Sequence, residues 1–145
     1  MKKGIITGVA LVAVLATLTG CGKSEKKLTC TNTTSNDSGF STSEELVYKF
    51  KDNRVTTAKI TQTIVAEDDY AKYIDDYKQS AETAVENYNK TKGISAKVDT
   101  GSNKVSVTID LKASEMDDNE KTSYELDESY ESMKDRKTEQ GYTCK

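Results

Sequence analysis

The sequence predicts a two-layer α+β domain, in which an antiparallel sheet of about five strands is covered by one long helix and a short C-terminal helix. Two pairs of segments alternate apolar and polar residues at a period of two, which is typical of half-buried strands. Between the pairs, apolar residues recur at steps of three and four, as they do along one side of a helix. Taken in order, the segments give β-β-β-α-β-β-α, with the helices on the apolar side of the sheet.

The first three strands are predicted within residues 28–66. Residues 28–34 (LTCTNTT) alternate, with Leu28 and Cys30 on one side. Residues 35–39 have the composition of a turn. Every second residue of 46–50 is apolar, and the β-branched stretch 54–66 follows a two-residue turn at Asp52 and Asn53. The sequence therefore predicts a hairpin over residues 44–66.

The longest helix is predicted directly after this hairpin. Asp68 is its expected N-cap, and Gly93 follows its end. Its apolar stripe consists of Tyr70, Ile74, Tyr77, Ala81, Ala84 or Val85, and Tyr88. A tyrosine stripe is compatible with a sugar-binding or aromatic-binding face. We favour packing against the sheet with the hydroxyls at its edge, because tyrosine combines an apolar ring with a polar end.

The second half of the chain predicts another hairpin and a short last helix. Residues 94–99 and 104–113 alternate on either side of a turn at residues 101–103. Residues 114–129 are acidic and weakly patterned, which predicts a loop or a frayed helix. A short helix is expected from Ser129 to Gly141, after which residues 142–145 bring Cys144 back to the sheet.

The N-terminus has the features of a secretory signal peptide. Lys2 and Lys3 precede residues 4–22, which carry no charge. The stretch is almost long enough for a retained membrane-spanning helix, which is the alternative interpretation. Its end, Leu18-Thr19-Gly20-Cys21, resembles the lipobox of bacterial lipoproteins. That resemblance implies cleavage before Cys21 and diacylation of its thiol.

These features predict the domain organisation and the location. Residues 1–20 are the expected signal peptide, residues 21–27 the lipidated Cys21 with a short tether, and residues 28–145 a single α+β domain. The N-terminal lipid would hold the protein on the extracytoplasmic face of the cell membrane, since two acyl chains anchor a protein stably.

Composition excludes several classes of function. Without residues 1–20 the chain has 19 basic and 24 acidic residues, so nucleic acid is not an expected partner. The chain has no histidine, which excludes Ser-His-Asp and Cys-His catalysis and most zinc and copper sites. We therefore expect no cofactor and no metal.

The three cysteines divide into one anchor and one pair. If Cys21 carries lipid, Cys30 and Cys144 remain. Outside the cytoplasm such a pair is more often bridged than free, so a disulfide between them is expected. Two reduced thiols are the alternative. A redox pair is not supported, since the chain has no Cys-x-x-Cys.

Adjacent carboxylates are frequent but do not predict catalysis. Catalytic carboxyl pairs share one cleft, whereas neighbouring residues point in different directions. The pairs are Asp68 with Asp69, Asp75 with Asp76, Asp117 with Asp118, and Asp127 with Glu128. Residues 115–120 (EMDDNE) have a composition suited to calcium but lack the ligand spacing and the central glycine of an EF-hand loop. A solvated acidic loop is the favoured interpretation.

The mature chain resembles the YehR-like family of small bacterial lipoproteins. The similarity consists of the lipobox, the Leu28-Thr29-Cys30 strand, residues 47–52 (VYKFKD) and the closing residues 141–145 (GYTCK). It implies an α+β domain with helices on a curved antiparallel sheet. It implies no activity and no site residue beyond Cys21.

The sequence is therefore interpreted as a non-enzymatic binding or interaction module for an envelope protein or a small ligand. This hypothesis predicts a concave pocket between the long helix and the sheet, lined by tyrosines. The alternatives are a structural or accessory envelope protein that acts only through protein contacts and, less favoured, a calcium-binding protein or a carboxylate-dependent hydrolase.

Overall fold

The structure, a computed structural model, describes residues 24–35 and 39–145. One antiparallel sheet has the strand order β4-β5-β3-β2-β1-β6. The strands are β1 (Glu25–Ser35), β2 (Phe40–Lys51), β3 (Arg54–Ala66), β4 (Ile94–Thr100), β5 (Lys104–Lys112) and β6 (Thr143–Cys144). The α-helices are α1 (Ile74–Tyr88), α2 (Asp118–Ser123) and α3 (Tyr130–Glu139). The predicted α+β class is confirmed, with a sixth, two-residue strand added at the edge.

The β2–β3 hairpin forms at the predicted turn. Asp52 and Asn53 have φ values of 53° and 61°, which suits a two-residue hairpin loop. A register shift at Lys49 and Phe50 marks a bulge, where the Thr56 hydroxyl donates to the carbonyl of Lys49 over 3.1 Å.

The first strand starts earlier than the sequence predicted. Residues 25–27 were expected to be a tether, but Glu25 pairs with Lys51 at the end of β2. Their charged side chains hid the strand, because backbone pairing with β2 needs no apolar residue. We call the end of the sheet that holds Glu25 and the β2–β3 turn the basal end, and the opposite end the distal end.

The two faces of the sheet differ sharply in chemistry. Directly paired residues share a face, and one row across five strands is entirely apolar: Leu28, Tyr48, Ala58, Leu111 and Ile94. All five are buried under the helices. The opposite face has no covering layer among the described residues and carries mostly threonine, serine and charged side chains. We call it the open face.

The long helical segment covers one part of the sheet. It begins with a 3₁₀ stretch, Asp68–Tyr73, and continues as α1 over β4 and β5. The predicted N-cap is wrong: Glu67 holds the cap position without a side-chain bond, and Asp68 lies in the first turn. The predicted stripe holds in part, since Ile74 is buried against Ala66 and Val105 whereas Tyr77 is 38% exposed.

Residues 114–129 are more ordered than the predicted loop. A 3₁₀ turn, Ala113–Glu115, leads into α2, which begins with a capping box. Asp117 accepts from the Glu120 backbone N–H over 2.8 Å, and Glu120 accepts from the Asp117 N–H over 3.0 Å. The helix α3 then places Met133 in the core beside β1. The end of the chain returns to the sheet as predicted.

Candidate functional site

The structure brings two of the three predicted site residues together. Cys30 in β1 lies opposite Cys144 in β6, and their sulfurs are within bonding distance at 2.01 Å. Lys145 extends the pairing, because its N–H donates to Thr29 over 2.8 Å and its carbonyl accepts from Thr29 over 2.9 Å. Cys21, the predicted lipidation site, lies outside the described residues, as does the predicted signal peptide, residues 1–20.

The predicted tyrosine-lined pocket under the long helix is replaced by aromatic packing. The rings of Tyr70 and Tyr77 lie 5.8 and 5.3 Å from the ring of Phe40, at tilted angles. A cavity lined by tyrosines lies elsewhere, between the sheet and the α2–α3 connection, and has a volume of about 180 Å³. The stripe on α1 is therefore mainly a packing surface.

In three of the four acidic pairs, at least one carboxylate has a structural partner. Asp117 caps α2, and Asp118 pairs with Lys121 at 3.0 Å. Asp75 pairs with Lys78 at 2.9 Å, and Asp127 accepts from the Thr122 hydroxyl over 3.0 Å. Within residues 24–35 and 39–145, no group of three Cys, Asp or Glu side chains has the arrangement to hold a metal ion.

A cavity at the basal end is large enough to hold a small ligand. It has a volume of about 710 Å³. Val55, Ala113 and Leu126 give it an apolar floor, and hydroxyls come from Thr56, Thr57 and Ser114. The charged lining residues are Arg54, Lys112, Lys121, Asp118 and Asp127. We call it the basal cavity.

The charges around the basal cavity are unevenly neutralised. Lys112 pairs with Glu115 at 3.3 Å, and Lys121 pairs with Asp118. Arg54 is exposed and makes no ion pair with another residue in the described part of the chain. A guanidinium presents a planar fork of N–H donors that matches a carboxylate or a phosphate. Arg54 is therefore the group best placed to bind an anion there.

The cations of the basal cavity continue onto the open face. Lys27, Lys49, Thr57 and Lys112 pair in one row across β1, β2, β3 and β5. Lys51 and Arg54 form the next pair towards the hairpin turn. We call these five cations the basic patch: Lys27, Lys49, Lys51, Arg54 and Lys112.

A smaller hollow of about 470 Å³ is lined in part by Lys27 and Lys49 of this patch and shares Thr56 and Thr57 with the basal cavity. The basic patch was not predicted from the sequence. Its signal was the alternation of Lys49, Lys51 and Arg54 across the hairpin turn, which places all three on the face opposite Tyr48 and Phe50.

A polar cluster ties the C-terminal segment to the other face of the sheet. Lys137 is only 8% exposed, and its ammonium lies 2.6 Å from the Glu125 carboxylate. Glu125 has a φ of 60°, which is uncommon for a residue other than glycine. The Tyr142 hydroxyl donates to Glu44, which also accepts from the Gln62 amide over 2.7 Å. These contacts hold α3 and β6 against β2 and β3.

The raised pKa of Tyr142 should make the folded protein less stable as the pH rises into the alkaline range. Burial, followed by its hydrogen bond to Glu44 and the negative charges of Glu44 and Glu125, raises the pKa of Tyr142 to about 12. The unfolded chain loses this proton near pH 10, whereas the folded protein keeps it until about pH 12, so the free energy of unfolding should fall across that interval. Urea titrations at a series of pH values should show a shallower fall for Tyr142→Phe. Parallel pH curves for the two proteins would contradict this assignment.

Comparisons with known proteins show the fold and no more. No protein-family model and no curated protein match the chain. A solved NMR structure of a protein from Streptococcus pneumoniae TIGR4 is similar, with a TM-score of 0.59 and 12% identity over all of this chain and 96% of that chain. In the described part of the protein, none of the helices has the length and apolar character to cross a bilayer.

Proposed function

We propose that this protein is a lipid-anchored, extracytoplasmic binding module without enzymatic activity, which holds a small anionic ligand in the basal cavity. The anchor is the diacylated Cys21, and the lipobox supports it. Membership of the YehR-like lipoproteins is part of the same proposal and is supported by the residues quoted for it above. The mass of the N-terminal peptide from cell-made protein tests the anchor directly.

One observation carries the binding proposal: the basal cavity combines an apolar floor with a guanidinium that has no ion-pair partner among the described residues. Its volume of about 710 Å³ falls in the range of small-molecule sites. An apolar floor favours a ligand with a hydrophobic body, and Arg54 favours a carboxylate or phosphate at one end. The absence of histidine and the structural partners of the acidic pairs favour binding over catalysis.

The proposed binding site predicts a specific effect of removing Arg54. Thermal-shift measurements with envelope fragments and amphiphilic carboxylates or phosphates should find ligands that raise the melting temperature. Arg54→Ala should weaken these ligands by about 10-fold to 100-fold, because a hydrogen bond to a charged group contributes roughly 1.5–3 kcal/mol. Lys104→Ala, which removes a cation at the distal end, is the matched control and should leave the shifts unchanged.

Two results would refute this site. One is a screen without any shift at millimolar ligand concentration. The other is a set of shifts that Arg54→Ala and Lys104→Ala reduce equally, since that would indicate a general effect of positive charge.

The alternative, an accessory protein that acts through protein contacts, is favoured by the open face. Its polar strands lie without a covering layer among the described residues, and Thr31, Thr61 and Thr108 form one row across it. Crosslinking on intact cells from Thr61→Cys would recover a protein partner under this alternative. Under the ligand proposal it would recover none.

A further inference from the structure

We propose that the basic patch docks the domain onto the anionic phospholipid headgroups of the leaflet that holds its N-terminus, so that the basal cavity lies next to the bilayer. The inference deepens the proposed function and rests on its N-terminal anchor. The occupant of the patch is a lipid surface, and the recognised groups are its phosphates.

The charge of the patch is concentrated on one end of one face. All five cations are exposed. Lys112 alone among them has an ion-pair partner in the described part of the chain, namely Glu115. The neighbouring acidic side chains are Glu25 on the same face and Asp52 in the hairpin turn. Glu115 is a third neighbouring carboxylate, so five patch cations face three carboxylates. The adjoining basal cavity adds Asp118 and Asp127 against Lys121, which leaves a small excess of positive charge at this end of a protein whose net charge is −3.

The position of the N-terminus places this end of the domain at the membrane. Glu25, at the start of β1, follows Cys21 by four residues, which span at most about 14 Å when extended. The distal end of β1, Ser35, is roughly 34 Å farther along the strand. Lys27 is two residues into the strand and pairs with Lys49. The patch therefore begins within reach of the headgroups that surround the anchor.

The distal end carries three consecutive carboxylates and one exposed cation of β5, Lys104. Glu67, Asp68 and Asp69 are exposed where β3 ends and the long helical segment begins. An anionic leaflet attracts cations at close range and repels these carboxylates, and both effects decay within a Debye length of about 8 Å at physiological salt. A tether alone permits any orientation, whereas this difference in charge between the two ends favours the orientation in which the basal end faces the membrane.

Tryptophan fluorescence can test the orientation, because the chain contains no tryptophan. Ser114→Trp places one indole at the rim of the basal cavity, and Thr100→Trp places one at the distal end of β4. The full chain is reconstituted in brominated phosphatidylcholine vesicles with or without phosphatidylglycerol. The indole at 114 should be quenched at least about twofold more with phosphatidylglycerol, while the one at 100 stays unquenched. About 1 M salt, which shortens the Debye length to about 3 Å, should abolish the difference.

Two sets of charge variants distinguish the effect of the basic patch from the effect of the protein's net charge. Lys27→Gln, Lys49→Gln and Lys51→Gln together should lower the equilibrium constant for docking, measured by quenching at position 114, by about two orders of magnitude. Each cation near the surface contributes roughly a factor of five to that constant. Lys72→Gln, Lys97→Gln and Lys104→Gln remove the same charge elsewhere and should have no effect.

Equal quenching in both vesicle types, or equal effects of the two triple variants, would overturn the docking. An unmodified Cys21 would instead refute the anchor. In that case the uncleaved apolar N-terminus still attaches the chain to the vesicle, and the comparison between lipid compositions still decides the docking.

Discussion

Removal of the Cys30–Cys144 crosslink should lower the free energy of unfolding by about 4.7 kcal/mol. The two cysteines are 114 residues apart, and in the chain-entropy account a loop of about 100 residues stabilises the folded state by that amount because it restricts the unfolded chain. Whole domains are stable by only about 5–15 kcal/mol, so the reduced protein should be close to its unfolding transition at 37 °C. Urea titrations with and without a phosphine reductant, in a Cys21→Ser background, measure the loss.

The variant Cys30→Ala with Cys144→Ala is the control for reduction. Its free energy of unfolding should equal that of the reduced protein, apart from a small cost for the lost packing of the sulfur atoms. Reductant should not change this free energy further. A reduced Cys21→Ser protein with the same unfolding midpoint as its oxidised form would contradict the assigned pairing.

Phe50→Ala should cost about 3–5 kcal/mol, the usual range for deleting a buried aromatic side chain. Phe50 is 1% exposed. Its ring meets that of Tyr130 edge-on at 5.3 Å and lies 6.4 Å from the ring of Tyr48. Truncation therefore leaves a cavity between β2 and the start of α3, and it removes an aromatic contact worth roughly 0.5–1.5 kcal/mol. Chemical unfolding followed by circular dichroism measures the change.

Tyr73→Ala is the matched aromatic control for Phe50→Ala. Tyr73 is 46% exposed and contacts the ring of Tyr70 at 6.4 Å. Its loss should cost less than about 1 kcal/mol, because little apolar area returns to water. Similar losses from the two variants would mean that Phe50 is not part of a well-packed core.

The sheet was predictable because period-two alternation and turn chemistry coincide along most of it. Arg54–Ala66 begins and ends where the sequence predicted, since the Asp52-Asn53 turn fixes its start. Residues 25–27 were not recognised as strand, because all three are charged. Lys27 belongs to the open face, and Lys26 lies on the other face with its ammonium over the Tyr130 ring. The structure of residues 114–129 was not predicted for a related reason. Met116 and Leu126 are buried in the core, but they are too far apart in sequence to form a periodic pattern.

The candidate site was less predictable than the fold. The disulfide pair followed from counting cysteines, and the structure places the two side chains opposite each other. The basal cavity arises from the pairing of strands distant in sequence, since Thr57 on β3 faces Lys112 on β5. The local sequence does not reveal such a pairing, so each segment taken alone indicates only isolated surface lysines.

The disulfide between β1 and β6 also determines how the domain resists a pulling force. Under the proposed N-terminal anchor, a load between the membrane and a bound partner would act along β1 and shear it against β2. Five residues, Glu25 to Thr29, can detach before the tension reaches Cys30. From there the covalent crosslink passes the force to Cys144 and α3. The protein should therefore extend by only a short length under load before its core is strained.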